Sequence, residues 1–163
     1  MEEVDYCRDP RDVRVIPGAA GRLRQFRERG WAIVIISNQS GIGRGIITME
    51  QYEAVHAELV RQIEGQLDGA YFCPDAPPNV TRRRKPDIGM VEEAVRDLNL
   101  DLAKSWFIGD KRADVECGHN AGMPAILVHT GYGKENTGCG AEFEAADVVE
   151  ALDWILAREK VSA

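Results

Sequence analysis

Along the chain, short continuous apolar runs alternate with longer segments of helical spacing. The strongest run is 31–37, WAIVIIS, apolar almost throughout, as a parallel strand covered on both faces should be. GAYFC at 69–73, WFI at 106–108 and AILV at 125–128 read as further strands. VRVI at 13–16 offers a weaker strand, and Asp147-Val148-Val149 a short edge strand. Pro17-Gly18 opens a helix that puts Ala19, Leu23 and Phe26 on one face, and Gly30 ends it where a left-handed cap is needed. Thr48 and Gln51 form a capping box for a helix carrying Tyr52, Val55, Leu59 and Ile63 toward the core, with His56 read as a flank residue rather than a ligand. Asp87 is the expected cap of a helix bearing Met90, Val91, Ala94, Val95 and Leu98. Gly122 closes the next helix, and ALDWILAREK forms the last. The glycine-rich stretch 131–140 is expected to be mobile surface.

Strands alternating with helices predict βαβ units and an α/β fold with a doubly wound parallel sheet. The front of the chain breaks this pattern. A right-handed crossover needs a strand before its helix, yet the helix near Gly18 has no good strand upstream. The periodicity is that of an α/β domain whose first strand is missing.

Length and charge narrow the function. At 163 residues the chain is one domain, 1–163, able to bury roughly two-thirds of its unfolded surface. Its 20 Lys+Arg against 27 Asp+Glu give −7, which argues against a nucleic-acid or anionic-membrane partner. No run reaches membrane-spanning length, and the acidic start MEEVDYCRD is no signal peptide. Cys7, Cys73, Cys117 and Cys139 form no CxxC pair and are expected as free thiols in a reducing cytoplasm.

The candidate chemistry sits at strand ends, where ligands bind in open α/β sheets. Gly109 ends the 106–108 run, and Asp110, Lys111 and Asp114 follow. Two carboxylates and an ammonium suit a hard cation beside a phosphate; the alternative is that Asp110 caps the helix and Asp114 is solvated. Ser37-Asn38-Gln39-Ser40-Gly41 ends the strongest strand, where a hydroxyl and successive N–H groups can hold phosphate oxygens. An ordinary polar turn is the alternative. Neither GxGxxG, which would need Gly where Ile46 stands, nor a Walker loop is present. Arg82-Arg83-Arg84-Lys85 reads as a solvated basic face, or as a source of the ammonium that a transferring phosphoryl group needs, Lys85 being held stiffly before Pro86.

A hydroxyl, a Lys-Pro and a Gly-Asp…Asp in this order resemble phosphatases of the haloacid dehalogenase (HAD) superfamily. The resemblance is to the branch holding D-glycero-D-manno-heptose bisphosphate and histidinol phosphatases. VIISNQSGIGRG is similar to the family's second motif, RRKPDIGM to the third and FIGDKRADVECGHNAG to the fourth. The resemblance implies that Ser37 bonds the phosphoryl group and that Asn38, Gln39 and Ser40 contact phosphate or substrate. It further implies that Lys85 neutralises charge, Arg84 grips the substrate, Asp110 ligates Mg²⁺ with Lys111 beside it and Asp114 supporting, and Tyr6 lines the pocket. The partner implied is a small phosphorylated molecule; nothing in the sequence sets an oligomeric state.

Two departures from the family pattern stand out. Many members carry a zinc loop after the strand ending at Cys73; PDAPPNVTRRR has neither a second Cys nor a His, so no zinc is expected. The family nucleophile is the first Asp of DxDGT at the end of the first strand. Asp5, Asp9 and Asp12 lack that spacing, and 1–6 resembles the segment just after the motif. The missing strand and the missing motif are then one absence. The expectation is a phosphatase inactive as residues 1–163, with a noncatalytic phosphate-binding protein as the alternative.

Overall fold

The computed structural model describes residues 6–159. Its strands all pair in parallel, as continuous apolar runs joined by helices require. β1 (Val34–Asn38) pairs with β2 (Gly69–Cys73), Ile36 opposite Tyr71. β3 (Phe107–Gly109), β4 (Ala125–Val128) and β5 (Phe143–Ala145) form a second sheet in the order β3-β4-β5.

Six helices clothe the strands: α1 (Ala19–Glu28), α2 (Ser40–Gly43), α3 (Met49–Gln62), α4 (Gly89–Leu98), α5 (Arg112–Asn120) and α6 (Val148–Glu159). Alternation along β4 splits the core in two. Ile126 and Val128 pack with Phe26 of α1 and Leu152 and Ile155 of α6. Ala125 and Leu127 pack with Val91 of α4 and Val115 of α5. Such side chains contribute roughly 1.5–3 kcal/mol each when fully buried. The expected capping box of Thr48 and Gln51 is formed. Gly30 and Gly122 take left-handed φ of 84° and 78° after α1 and α5.

β1 and β3 do not pair with each other, although both end at the same edge of the molecule. Between them runs a slot of about 1410 Å³, roofed by α4 and floored by α6. It explains a departure from the sequence expectation. β1, the most apolar run, has no fully buried residue, and in the 106–108 run only Phe107 is buried, because one edge of each strand faces the slot. Residues 6–16 do not close it. They form a short 3₁₀ turn (Pro10–Asp12) packed against α3 and an extended tail. Residues 1–5 lie outside the described residues.

Four local expectations are corrected. Residues 13–16 form no strand, because their backbone is taken by a side chain: Val15 N–H donates to Gln62 Oε1 (3.0 Å) and Gln62 Nε2 to the Val13 carbonyl (2.9 Å). Asp87 does not cap α4; Ile88 is the capping position, since the turn from Arg82 to Gly89 is already closed by Gly89 N–H on the Arg82 carbonyl. Asp147 Oδ1 accepts N–H bonds from Val149 and Glu150, which draws 148–149 into α6 and leaves the edge strand to 143–145. Finally, 131–140 lies mostly at the surface, as expected, but it is not without structure. It contains a 3₁₀ turn (Gly133–Asn136) with Gly133 buried against the Val128 carbonyl, too close for any Cβ.

Candidate active site

The carboxyl end of β1 turns sharply into α2. The turn is held because the β1–β2 pairing continues beyond the strands: Gln39 N–H donates to the Cys73 carbonyl (2.7 Å) and Gly43 N–H to the Pro74 carbonyl (3.1 Å). Gln39 Nε2 then donates to Ser37 Oγ (2.7 Å). With that lone pair occupied, the Ser37 hydroxyl proton is available as a donor.

Asn38 links β1 to the basic loop. Its carboxamide clamps the backbone of Lys85 from both sides, Asn38 Nδ2 to Lys85 O and Lys85 N to Asn38 Oδ1, each 3.0 Å. The Lys85 side chain folds back inward, where Nζ donates to the Ile36 carbonyl (2.7 Å) and lies 2.6 Å from Asp114 Oδ1. Asp114 Oδ2 in turn accepts the N–H groups of Asp110 (3.1 Å) and Lys111 (3.0 Å), fixing the turn from β3 into α5. Gly109 is required there, since a Cβ would land on the Asp114 side chain.

Asp110 is held from the other side by the 131–140 segment. Tyr132 N–H donates to Asp110 Oδ2 (3.0 Å), and Gly131, at φ 58°, leaves room for that carboxylate where a Cβ would strike it. The Asn136 side chain donates to the Asp110 carbonyl (3.4 Å) and accepts Arg112 N–H (3.0 Å). The Lys111 ammonium lies 3.9 Å from the centre of the Tyr132 ring, a cation–π contact that keeps the charge at the mouth of the site.

These elements surround a cavity of about 390 Å³ whose wall includes Tyr6, Ser37, Gln39, Ser40, Lys111 and Tyr132. Asn38 also borders it, while Lys85, Asp110 and Asp114 stand beside it through the contacts just described. Arg84 does not turn inward; its guanidinium donates to the Asp75 carbonyl (2.7 Å). Three residues escaped the sequence reading. Tyr132 and Asn136 lie in the stretch expected to be mobile, where the closely spaced Gly131 and Gly133 were the signal of close backbone approach. His56 lines the cavity, stacked on Tyr52 at 6.0 Å between ring centroids. Just behind, the Cys117 thiol donates to the Asp87 carbonyl (3.4 Å), and burial pushes its pKa up to about 11.

The arrangement offers a hydroxyl donor, a desolvated ammonium tethered to the same strand, and one fixed carboxylate. Among the described residues no three His, Cys, Asp or Glu side chains gather as a complete metal cage. That does not count against Mg²⁺, which takes one or two carboxylates and completes its shell with phosphate and water oxygens. Asp110 fits the part, because only Oδ2 is used, by Tyr132. Both oxygens of Asp114 are engaged.

Comparison with known proteins gives a consistent picture. A family model described as HAD-hydrolase-like matches residues 82–155. The D-glycero-D-manno-heptose-1,7-bisphosphate 7-phosphatase of Thermosynechococcus vestitus is 33% identical over 174 residues, covering 94% of this chain and 89% of that protein. The enzyme of the same name from Chlorobaculum tepidum is 43% identical over 146 residues, covering 80% and 73%. Among solved structures, the D,D-heptose 1,7-bisphosphate phosphatase from B. bronchiseptica, complexed with magnesium and phosphate, superposes with a TM-score of 0.86. It is 24% identical, with 96% of this chain and 93% of that chain covered.

Proposed function

The chain belongs to the HAD-like hydrolases, in their heptose bisphosphate phosphatase branch, and we propose from this that it serves a Mg²⁺-dependent hydrolysis of small phosphate monoesters, heptose bisphosphate first among them. The observation that carries the reading is the position of Lys85: its ammonium is fixed between the Ile36 carbonyl and Asp114, so that the ends of β1, β3 and the basic loop meet at one point.

Each residue's part follows from its contacts. Ser37 donates its hydroxyl to a phosphoryl oxygen, oriented by Gln39. Lys85 offsets the charge of the phosphoryl group; held in a place of low exposure, it needs no reorganisation as charge develops. Lys111, parked on Tyr132, meets the distal part of a phosphorylated substrate at the cavity mouth, with Gln39, Ser40 and Tyr6 as further walls. Asn38 works through the backbone of Lys85, and Asp114 through Lys85 and the N–H groups of Asp110 and Lys111. Arg84, directed at the 73–81 loop, grips substrate only if that loop moves inward. Asp110 would hold the magnesium ion, which when bound shields phosphate charge and brings the phosphate to the attacking carboxylate.

Residues 1–163 contain no Asp-x-Asp pair that could supply the attacking carboxylate and the general acid. Asp9 caps the 3₁₀ turn and is paired with Arg11. We therefore expect hydrolysis to need an aspartate placed between the ends of β1 and β3. Four cysteines without a disulfide support a reducing compartment, the cytoplasm. The loop after β2 is braced by Asp75, which accepts the Thr81 N–H and hydroxyl, both at 2.6 Å.

The test is release of inorganic phosphate from heptose bisphosphate and histidinol phosphate. Residues 1–163 should turn over little; the same chain extended by an apolar strand ending in Asp-x-Asp-Gly-Thr should be active, and Asp110→Asn should then weaken its response to magnesium. Loss of a covalent nucleophile leaves only ~10³–10⁴-fold over water in a well-studied hydrolase, against up to ~10²¹ needed for phosphate monoesters. Phosphate binding by the extended chain without turnover would instead favour a noncatalytic phosphate-binding protein.

A further inference from the structure

We propose that Tyr132 is a positioning residue that sets the site's preference for ligands with a second anionic group. Its ring holds the Lys111 ammonium at the cavity mouth with the charge uncancelled, ready for an anion carried beyond the phosphoryl group at Ser37. This role rests on the phosphatase reading above. The ammonium lies 3.9 Å from the ring centre, and both residues line the cavity of about 390 Å³. Among the described residues no carboxylate pairs with it. Asp114 Oδ1 is taken by Lys85 and its Oδ2 by two N–H groups, while Asp110 Oδ2 accepts from Tyr132 N–H. Nor does any described Asp or Glu line the cavity. In a chain of net charge −7, the charge of Lys85 is balanced in the interior and that of Lys111 is left facing the ligand space.

The choice of an aromatic partner has a physical reason. A lysine side chain loses much rotamer freedom when a ligand fixes it, so a partner that holds it beforehand favours binding. A carboxylate would hold the ammonium more firmly, but it would cancel the charge and repel an incoming anion. An aromatic face attracts the cation through its quadrupole and brings no negative charge to the site. Of the three N–H donors, those turned away from the ring stay available to the ligand. Tyr132 itself has no play. Gly131, at φ 58°, and Gly133, too close to the Val128 carbonyl for any Cβ, fix its main chain on either side. Its N–H donates to Asp110 Oδ2 (3.0 Å) while its ring carries Lys111. Main chain and ring of one residue thus set the two neighbouring charges, Asp110 and Lys111, relative to each other. The first bond survives any side-chain substitution at 132; the second does not.

The experiment measures calorimetric affinities of the 163-residue protein, with magnesium present, for fructose bisphosphate, fructose monophosphate and inorganic phosphate. The readout is the ratio of bisphosphate to monophosphate affinity, because a loosened fold lowers all affinities together. The unaltered protein should prefer the bisphosphate by roughly tenfold, as one charge-assisted hydrogen bond confers. Tyr132→Phe keeps the ring and should keep that ratio. Tyr132→Leu should bring it to within about twofold of one, as should Lys111→Met, and the double variant should be no worse than Lys111→Met alone. A full preference in Tyr132→Leu, equal losses in the Phe and Leu variants, or additive losses in the double variant would overturn the role of Tyr132. Should Tyr132→Leu fail to fold, proton NMR of the unaltered protein decides. The Lys111 ε-methylene signals should lie upfield of those of exposed Lys104, through the ring current, and should move on adding the bisphosphate but not the monophosphate. Signals that coincide with those of Lys104, or that ignore the bisphosphate, overturn the proposal. Binding of no phosphate compound at all, inorganic phosphate included, rejects the phosphatase reading and the ligand assigned to Lys111 with it. Phosphate binding whose preference ignores the ring rejects Tyr132 alone.

Discussion

The Lys85 ammonium lies 2.6 Å from Asp114 Oδ1, with only 10% and 7% of the two side chains exposed. Removing one partner strands the other charge where water cannot reach it, and breaking such a buried pair costs about 3–5 kcal/mol. Asp114→Ala should therefore lower the urea midpoint far more than loss of an exposed pair such as Lys104 with Asp101. The double variant Lys85→Met, Asp114→Leu should recover most of the loss. Equal midpoints for Asp114→Ala and the unaltered protein would show that the pair contributes nothing.

Gly131 tests how tightly Asp110 is framed. Alanine there meets two penalties: a φ of 58°, and a Cβ that lands on the Asp110 carboxylate. Gly138, at φ 75° with open space around it, carries only the first. Strain of the left-handed region is about 1–3 kcal/mol. Gly131→Ala should cost at least that and more than Gly138→Ala, by thermal unfolding. Equal costs would mean that Asp110 moves aside freely.

The contrast between these two sites shows what the sequence could convey. Asp110 and Ser37 were legible because each stands where an apolar run ends, and strand ends share one edge of a parallel sheet, while Lys85 was legible from the Lys-Pro pair in the loop that follows β2. The fold was legible for the same reason, parallel strands joined by helices. Tyr132 and Asn136 were not legible, because glycine-rich composition looks alike in a mobile loop and in backbone packed too closely for side chains. Asp87 and Asp147 were misread because an Asp before a helical segment fits several caps; only long-range bonds such as Gly89 to Arg82 decide which.

Thiol reactivity checks the layer behind the site. Cys117 is buried, and burial pushes its thiol up to about 11. At mildly alkaline pH it should stay almost wholly protonated and unreactive. Alkylation followed by mass spectrometry should label half-buried Cys139 first and Cys117 only on unfolding. Cys117 labelled as fast as Cys139 in the folded protein would show that α5 opens readily.

Glu144 ties the 131–140 segment to β5. Gly138 N–H donates to its Oε1 (2.8 Å), and His129 Nε2 lies 2.8 Å from its Oε2. The Gly138 N–H first, and the His129 ring second, hold this carboxyl below its ordinary value. A group whose pKa is lowered by folding stabilises the native state above its unfolded pKa, and that stability is lost as pH falls through the folded value. Glutamine can still accept from Gly138 but lacks the charge. The Tm gap between the unaltered protein and Glu144→Gln should thus be full above the usual carboxylate range and close as pH falls below that range. Because Tyr132 and Asn136 belong to the segment that Glu144 anchors, the same variant should loosen Asp110 and raise amide exchange at Tyr132, whose N–H bonds that carboxylate. A gap that widens on acidification, or unchanged exchange at Tyr132, would disconnect Glu144 from the site.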